Sequence, residues 1–326
     1  MNKICFGCGS KLQSSNPEAD GFIPENKLKD GAYCQRCFKI MHYGMGSMSS
    51  TPKETDVIIR SINGDNKFVI FLADFLSLST KVMDIFKSIK KDKLLVISKC
   101  DIIPKSIREE TIRTFIRDYY EISTDVKLVS SVNNYGVDSL TNYLYRRKVF
   151  EAYVVGLSNS GKSTLINKLI SVNDSNMRQI TTSYIPNTTL DFIRIKINED
   201  LMIIDSPGFV IPTIVNISIY QKNNIKVFLK PKTFQMKANE TLEIENMYFN
   251  FSENTSVTLY MSNDLLVKKY YKPVEFDFDI NVKNNNDLLI SGLGFLNIKN
   301  ECNIKTLNIN SELFEVRESI FGDNSE

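Results

Sequence analysis

The sequence has no run of 18 apolar residues, which leaves no stretch that reads as a transmembrane helix. Its first residues, Met1-Asn2-Lys3-Ile4-Cys5, lack the apolar core of a secretory signal and the Arg- and Ser-rich character of a transit peptide. The expected compartment is therefore the cytoplasm, with no membrane partner. Net charge is nearly absent: 40 Lys and Arg against 38 Asp and Glu leave +2. Bulk charge thus names no partner, and any nucleic-acid contact has to come from a local patch. Histidine is scarce too, with His42 alone. With no second histidine to act as base, the solitary Cys100 and Cys302 read as buried small hydrophobes and not as nucleophiles.

The other four cysteines fall as Cys5-x-x-Cys8 and Cys34-x-x-Cys37, about 25 residues apart. In a reducing compartment such knuckles read as metal ligands, and four thiolates suit tetrahedral zinc. Lys3, Lys11, Arg36 and Lys39 would offset the net negative charge of the site. A redox motif would need one CxxC near a helix start, not two flanking a loop. Four cysteines fill the zinc shell, so His42 reads as a packed or surface residue. The expected organisation is a zinc module at 1–43, a small-residue linker at 44–54, an α/β domain at 55–222 and a mostly-β domain at 223–326.

The α/β reading rests on uninterrupted apolar runs at 68–73, 94–97, 127–129, 152–155, 192–197 and 201–204. Such runs fit strands covered on both faces. Helical spacing lies between them. One helix is expected from Ser106, with Glu109 completing a capping box, and others after Gly161 and over Asp138–Leu144. Beyond about residue 225, strand-like alternation appears at 242–244 and 257–261, with a glycine-broken strand at 288–298.

Gly156-Leu-Ser-Asn159-Ser160-Gly161-Lys162-Ser163 matches G-x-x-x-x-G-K-S between a strand and a helix, followed by Thr164. Gly156 and Gly161 let backbone N–H groups point at phosphates, Lys162 would reach the β and γ phosphates, and Ser163 would ligate Mg²⁺. Asp205-Ser-Pro-Gly208 fits DxxG, with Asp205 toward Mg²⁺ and Gly208 sensing the γ-phosphate. Pro186-Asn-Thr-Thr189-Leu-Asp191 fits a first switch, with Thr189 as a Mg²⁺ ligand.

The base is addressed by Ser98-Lys99-Cys100-Asp101, which resembles the NKxD motif of GTPases. Asp101 would accept from the guanine N1–H and exocyclic amine, a donor pair that adenine does not offer. Lys99 would cover the ring with its aliphatic stem. Ser98 stands where Asn is usual, and its shorter side chain predicts a looser base loop. Ser130 and Ser131 resemble the loop whose backbone reads guanine O6. These base-reading motifs precede the phosphate loop, the reverse of the usual order, which a circular permutation of the sheet would produce.

Together the motifs resemble the YqeH-like permuted GTPases, which take part in small ribosomal subunit assembly. The matches include Cys5-Phe-Gly-Cys8-Gly, Gly21-Phe-Ile-Pro24, Tyr33-Cys-Gln-Arg-Cys-Phe38, Thr181-Thr-Ser183 and Pro104-Lys-Ser106, and they span most of residues 1–210. The resemblance implies a P-loop GTPase fold with zinc and β modules flanking it. GTP and GDP, Mg²⁺ and Zn²⁺ are its cofactors, and rRNA or ribosomal proteins of the small subunit, not DNA, its partners. It also implies a potassium ion at Asn159, and it puts Phe209 where many GTPases carry a catalytic Gln. Lys162, Thr189 and Asn159 are then the expected catalytic group. A nucleotide-gated module with negligible hydrolysis and an ATPase with relaxed base reading are the alternatives.

Overall fold

The computed structural model describes residues 11–16, 21–25, 34, 52–157, 160–173, 182–184, 192–209, 211, 230–271, 276 and 278–322. Cys5, Cys8, Cys37, Asn159, Thr189, the expected linker up to Thr51 and the expected boundary near residue 222 lie outside them. No helix among the described residues is long and apolar enough to cross a membrane. The chain divides into two compact units. The first runs to Asp74 and takes in Asp84–Cys100 and Thr124–Ile211; the second holds Phe75–Met83, Asp101–Ser123 and Pro212–Glu326.

The first unit is built on a seven-stranded sheet of order β3-β2-β1-β4-β7-β6-β5. The strands are β1 (Phe68–Asp74), β2 (Lys93–Ser98), β3 (Val126–Leu128), β4 (Glu151–Gly156), β5 (Thr182–Tyr184), β6 (Ile193–Lys196) and β7 (Met202–Asp205). β3, β2, β1, β4 and β7 pair in parallel, while β6 and β5 add on antiparallel. Helix α1 is Pro52–Gly64, and α4 (Val137–Arg146) and α5 (Lys162–Asn173) follow β3 and β4; α2 (Thr80–Ser88) has its first four residues in the second unit and the rest in the first.

Every residue of β1 is buried. Ile70 and Leu72 join Leu140, Leu144, Leu165 and Leu169 of α4 and α5 in one core. Phe71 instead meets Phe86 and Phe209. Both faces of the strand are therefore covered, which is why its sequence shows no alternation. Each such aliphatic side chain contributes about 1.5–3 kcal/mol by leaving water.

The second unit contains α3 (Glu109–Tyr119) and the strands β8 (Lys232–Met236), β9 (Thr241–Ile244), β10 (Met247–Phe251), β11 (Thr255–Met261), β12 (Val267–Tyr270), β13 (Phe278–Val282), β14 (Asn286–Ile290), β15 (Gly294–Ile298), β16 (Cys302–Leu307) and β17 (Phe314–Glu318), which form two antiparallel five-stranded sheets, β12-β9-β10-β16-β13 and β17-β14-β15-β11-β8. Phe249, Phe251 and Ile304 of the first sheet share a core with Leu259, Leu288 and Leu296 of the second. The strand β11 (Thr255–Met261) alternates buried and part-exposed along its length, as one face of a sandwich requires.

Two local expectations change. Helix α3 starts at Glu109, with Arg108 at its N-cap and no side-chain cap. Residues 104–107 are occupied by a turn closed by Ile107 N–H to Pro104 O at 2.9 Å, so Ser106 cannot cap. Glu109 instead pairs with Arg113, one helical turn on. The stretch at 288–298 is not one broken strand but a hairpin of β14 (Asn286–Ile290) and β15 (Gly294–Ile298). Its turn holds Gly292 at φ 79°, a conformation glycine adopts without strain.

Candidate functional site

Because β1, β2, β3, β4 and β7 are parallel, their carboxyl ends share one edge of the sheet. Asp74, Ser98, Ser130, the phosphate loop and Asp205 all lie at or just beyond those ends. A crevice outside the strand ends is where open α/β sheets bind ligands.

The phosphate loop leaves β4 at Gly156. A Cβ there would sit 2.2 Å from the Leu72 carbonyl oxygen, so only glycine lets β4 end against β1 at this point. Gly161 takes φ 93° at the entry to α5, again a glycine conformation. Lys162 curls back, and its Nζ donates to Gly156 O at 3.1 Å and Leu157 O at 2.9 Å. The amine is thus parked against the carbonyls of its own loop. Ser160 is buried, Ser163 half-buried and Thr164 exposed at the start of the helix.

The base side is tied directly to this loop. Ser98 Oγ donates to Ser160 O, joining residues 62 positions apart. The expectation that Ser98 loosens the base loop is therefore overturned: the short hydroxyl is an anchor. Cys100 N–H donates to Val129 O at 3.1 Å, which fixes the base loop to the segment carrying Ser130. Ser130 N–H donates to Tyr135 O at 2.8 Å and closes the second base loop; Ser130 is buried and Ser131 half-buried. Asp101 follows in a single turn, Cys100–Ile102, and is half-buried.

Asp74 was missed in the sequence. It ends β1, is 7% exposed, and its Oδ2 lies 3.5 Å from Lys99 Nζ. Lys99 has φ 58°, and the pair helps to hold its stem across the loop. A carboxylate closing an otherwise wholly apolar strand was the available signal.

Asp205 ends β7, buried, and Gly208 is half-buried four residues from the strand core. Phe209 is fully buried, stacks on Phe71 at 6.0 Å, and its N–H donates to Gly156 O at 2.9 Å. Its side chain serves the core. Of the metal ligands expected from CxxC spacing, only Cys34 is described, and it is buried. No group of three or more His, Cys, Asp or Glu able to hold a metal occurs among the described residues.

Burial lowers the pKa of Lys162 to about 8, with Asp205 acting in the opposite direction. Phosphate oxygens would raise it again in the complex. Below pH 8 both states are charged and affinity is level. Above it the free amine must take up a proton to bind, so affinity falls by up to about tenfold per pH unit. Equilibrium binding of GDP between pH 7 and pH 9 should show this decline; a flat profile up to pH 9 would contradict it.

A family model described as RsgA GTPase matches residues 51–214, and one described as 50S ribosome-binding GTPase matches residues 151–284. The uncharacterised protein YqeH of Bacillus subtilis is 30% identical over 286 residues, 82% of this chain and 77% of that protein. The small ribosomal subunit biogenesis GTPase RsgA of Geobacillus thermodenitrificans is 33% identical over 111 residues, 33% of this chain and 36% of its own length. Nitric oxide-associated protein 1 of Mus musculus is 24% identical over 253 residues, and this chain spans 36% of it.

Proposed function

The chain is a circularly permuted GTPase of the YqeH-like family, and from that premise we propose that it is a GTP-driven switch in assembly of the small ribosomal subunit. The GTPase family implies GTP, GDP and Mg²⁺ as its ligands. The single observation that carries the reading is the Ser98 Oγ to Ser160 O bond. It joins a base motif and a phosphate loop that stand in inverted order in the chain. The RsgA relatives, small ribosomal subunit biogenesis GTPases, support the ribosomal partner.

In this reading Asp101 and Lys99 hold the guanine, with the Ser130 and Ser131 loop at O6. Gly156, Gly161, Lys162 and the α5 N-terminus hold the phosphates. Ser163 and Asp205 would hold Mg²⁺, which would supply positive charge at the phosphate oxygens. The parked position of the Lys162 amine, with Asp205 acting on it, fits such a group. Thr189 completes the metal site, and Thr189 and Gly208 report loss of the γ-phosphate. The test is cosedimentation with purified small subunits. Retention with a non-hydrolysable GTP analogue and release with GDP is expected; equal behaviour with both nucleotides rejects the switch.

Two metal assignments belong to the same proposal. Cys5, Cys8, Cys34 and Cys37 bind one structural zinc, supported by their spacing and by the burial of Cys34. About one zinc per purified chain, lost in Cys8→Ser, is the expected metal content. Phe209 is committed to the core and supplies no polar group, so Asn159 would hold a potassium ion whose charge could stand opposite the phosphates. Hydrolysis should then be faster in K⁺ than in Na⁺, and Asn159→Ala should erase the difference.

A further inference from the structure

The second unit buries an ion pair outside the apolar core that its two sheets share. Asp287 and Arg317 are cross-strand partners on β14 and β17 (Phe314–Glu318), on the face turned away from the shared core. Both side chains are fully buried, and Arg317 Nη2 lies 3.3 Å from Asp287 Oδ2. Asp287 also accepts from Asn297 Nδ2 at 2.9 Å and from Ile320 N at 3.1 Å.

Arg317 points its remaining donors at two distant segments. Nη1 donates to the Leu78 carbonyl and lies 3.3 Å from the Tyr120 hydroxyl, which itself donates to Leu78 O at 3.1 Å. The guanidinium is also sandwiched between the rings of Phe295 at 4.9 Å and Phe115 at 5.6 Å. A second tie lies beside it: Thr80 N donates to Glu315 at 2.8 Å, fixing the start of α2 to the same strand.

Both segments begin at carboxyl ends of parallel strands, after β1 and β2. Residues 75–83 continue β1 directly from Asp74, the partner of Lys99. Residues 101–123 begin with Asp101 itself. A buried ion pair is a poor source of stability, because desolvating both charges offsets most of their attraction. What it supplies is a unique arrangement of the groups it joins.

We propose that Arg317 is a positioning residue for guanine recognition, latching the segments that follow Asp74 and Cys100 onto the C-terminal sheet and so setting where Asp101 presents its carboxylate. The inference rests on the reading of Asp101 as the base acceptor.

The test compares GDP with IDP on the full chain, since IDP lacks only the exocyclic amine. The paired variant Arg317→Met/Asp287→Leu removes the latch without leaving a lone buried charge. It should lose GDP affinity and bring the GDP-to-IDP preference about fivefold to tenfold toward unity, with kcat at saturating GTP changed little. Tyr120→Phe, a milder variant that removes only the bridging hydroxyl, should move the preference in the same direction. Arg317→Lys, which keeps a charge for Asp287 but loses the fork, should fall between the paired variant and wild type. Phe249→Leu weakens the sandwich core elsewhere and should leave the preference alone. A wild-type preference that survives in both the paired variant and Tyr120→Phe, or one that Phe249→Leu erodes equally, overturns the latch. A wild-type chain with no preference for GDP over IDP sinks the base reading together with it.

Discussion

Lys162→Ala should lower kcat/KM for GTP hydrolysis by about 10²–10⁴ while leaving the chain folded. The activity loss follows from two charge-assisted contacts to phosphates, each contributing roughly 1.5–3 kcal/mol. The folding side is equally specific. Among the described residues, Lys162 Nζ bonds only Gly156 O and Leu157 O. Both carbonyls keep a backbone partner without it: Phe209 N–H serves Gly156 O at 2.9 Å and Ser160 N–H serves Leu157 O at 3.1 Å. Removing a buried amine whose pKa is already pushed down should therefore cost no stability. Thermal unfolding reads both halves at once. GTP with Mg²⁺ should raise the melting temperature of the wild type and not of the variant, with the two ligand-free chains alike. A variant that hydrolyses GTP within tenfold of wild type would remove this lysine from the mechanism.

The parallel sheet was legible because its signals are local. A short apolar run such as 68–73, rich in Phe, Val and Ile, fits a strand buried on both faces, and the phosphate loop needs only a strand before it and a helix after it. The inverted motif order was legible for the same reason: each motif sits at a strand end, whatever its rank in the chain. Three features were hidden because they depend on partners far away in sequence. Asp74 looks like the polar end of a strand until Lys99 is brought beside it. Ser98 looks like a weakened Asn until Ser160 O comes within its reach. Arg317 alternates with Val316 and Phe314 as an exposed residue would, and only the covering segments at 75–83 and 101–123 bury it. The false capping box at Ser106 is the converse error. The local pattern was complete, but the turn from Pro104 had already taken the residues it required.

Asp101→Asn should weaken GTP binding by about 2–4 kcal/mol, roughly 30- to 1,000-fold, and should favour a xanthine nucleotide over a guanine one. Guanine offers two donors, N1–H and the exocyclic amine, and a carboxylate accepts both. An amide accepts one and confronts the other with its own N–H. Xanthine carries an oxygen in place of the amine, and that amide N–H then has an acceptor. The size of the effect depends on the loop holding still, because a mobile carboxylate would be replaced by water at little cost. The loop is held on three sides: Ser98 Oγ to Ser160 O, Cys100 N–H to Val129 O at 3.1 Å, and Lys99 to Asp74 at 3.5 Å. Asn has nearly the volume of Asp, so these ties survive the substitution and the exchange tests chemistry, not packing. Competition of GDP, XDP and ADP against a fluorescent nucleotide reads the outcome. An unchanged GDP affinity in the variant would mean that residue 101 does not touch the base. A gain for ADP equal to the gain for XDP would mean that the substitution had opened the loop, and the three ties would then be weaker than their geometry implies.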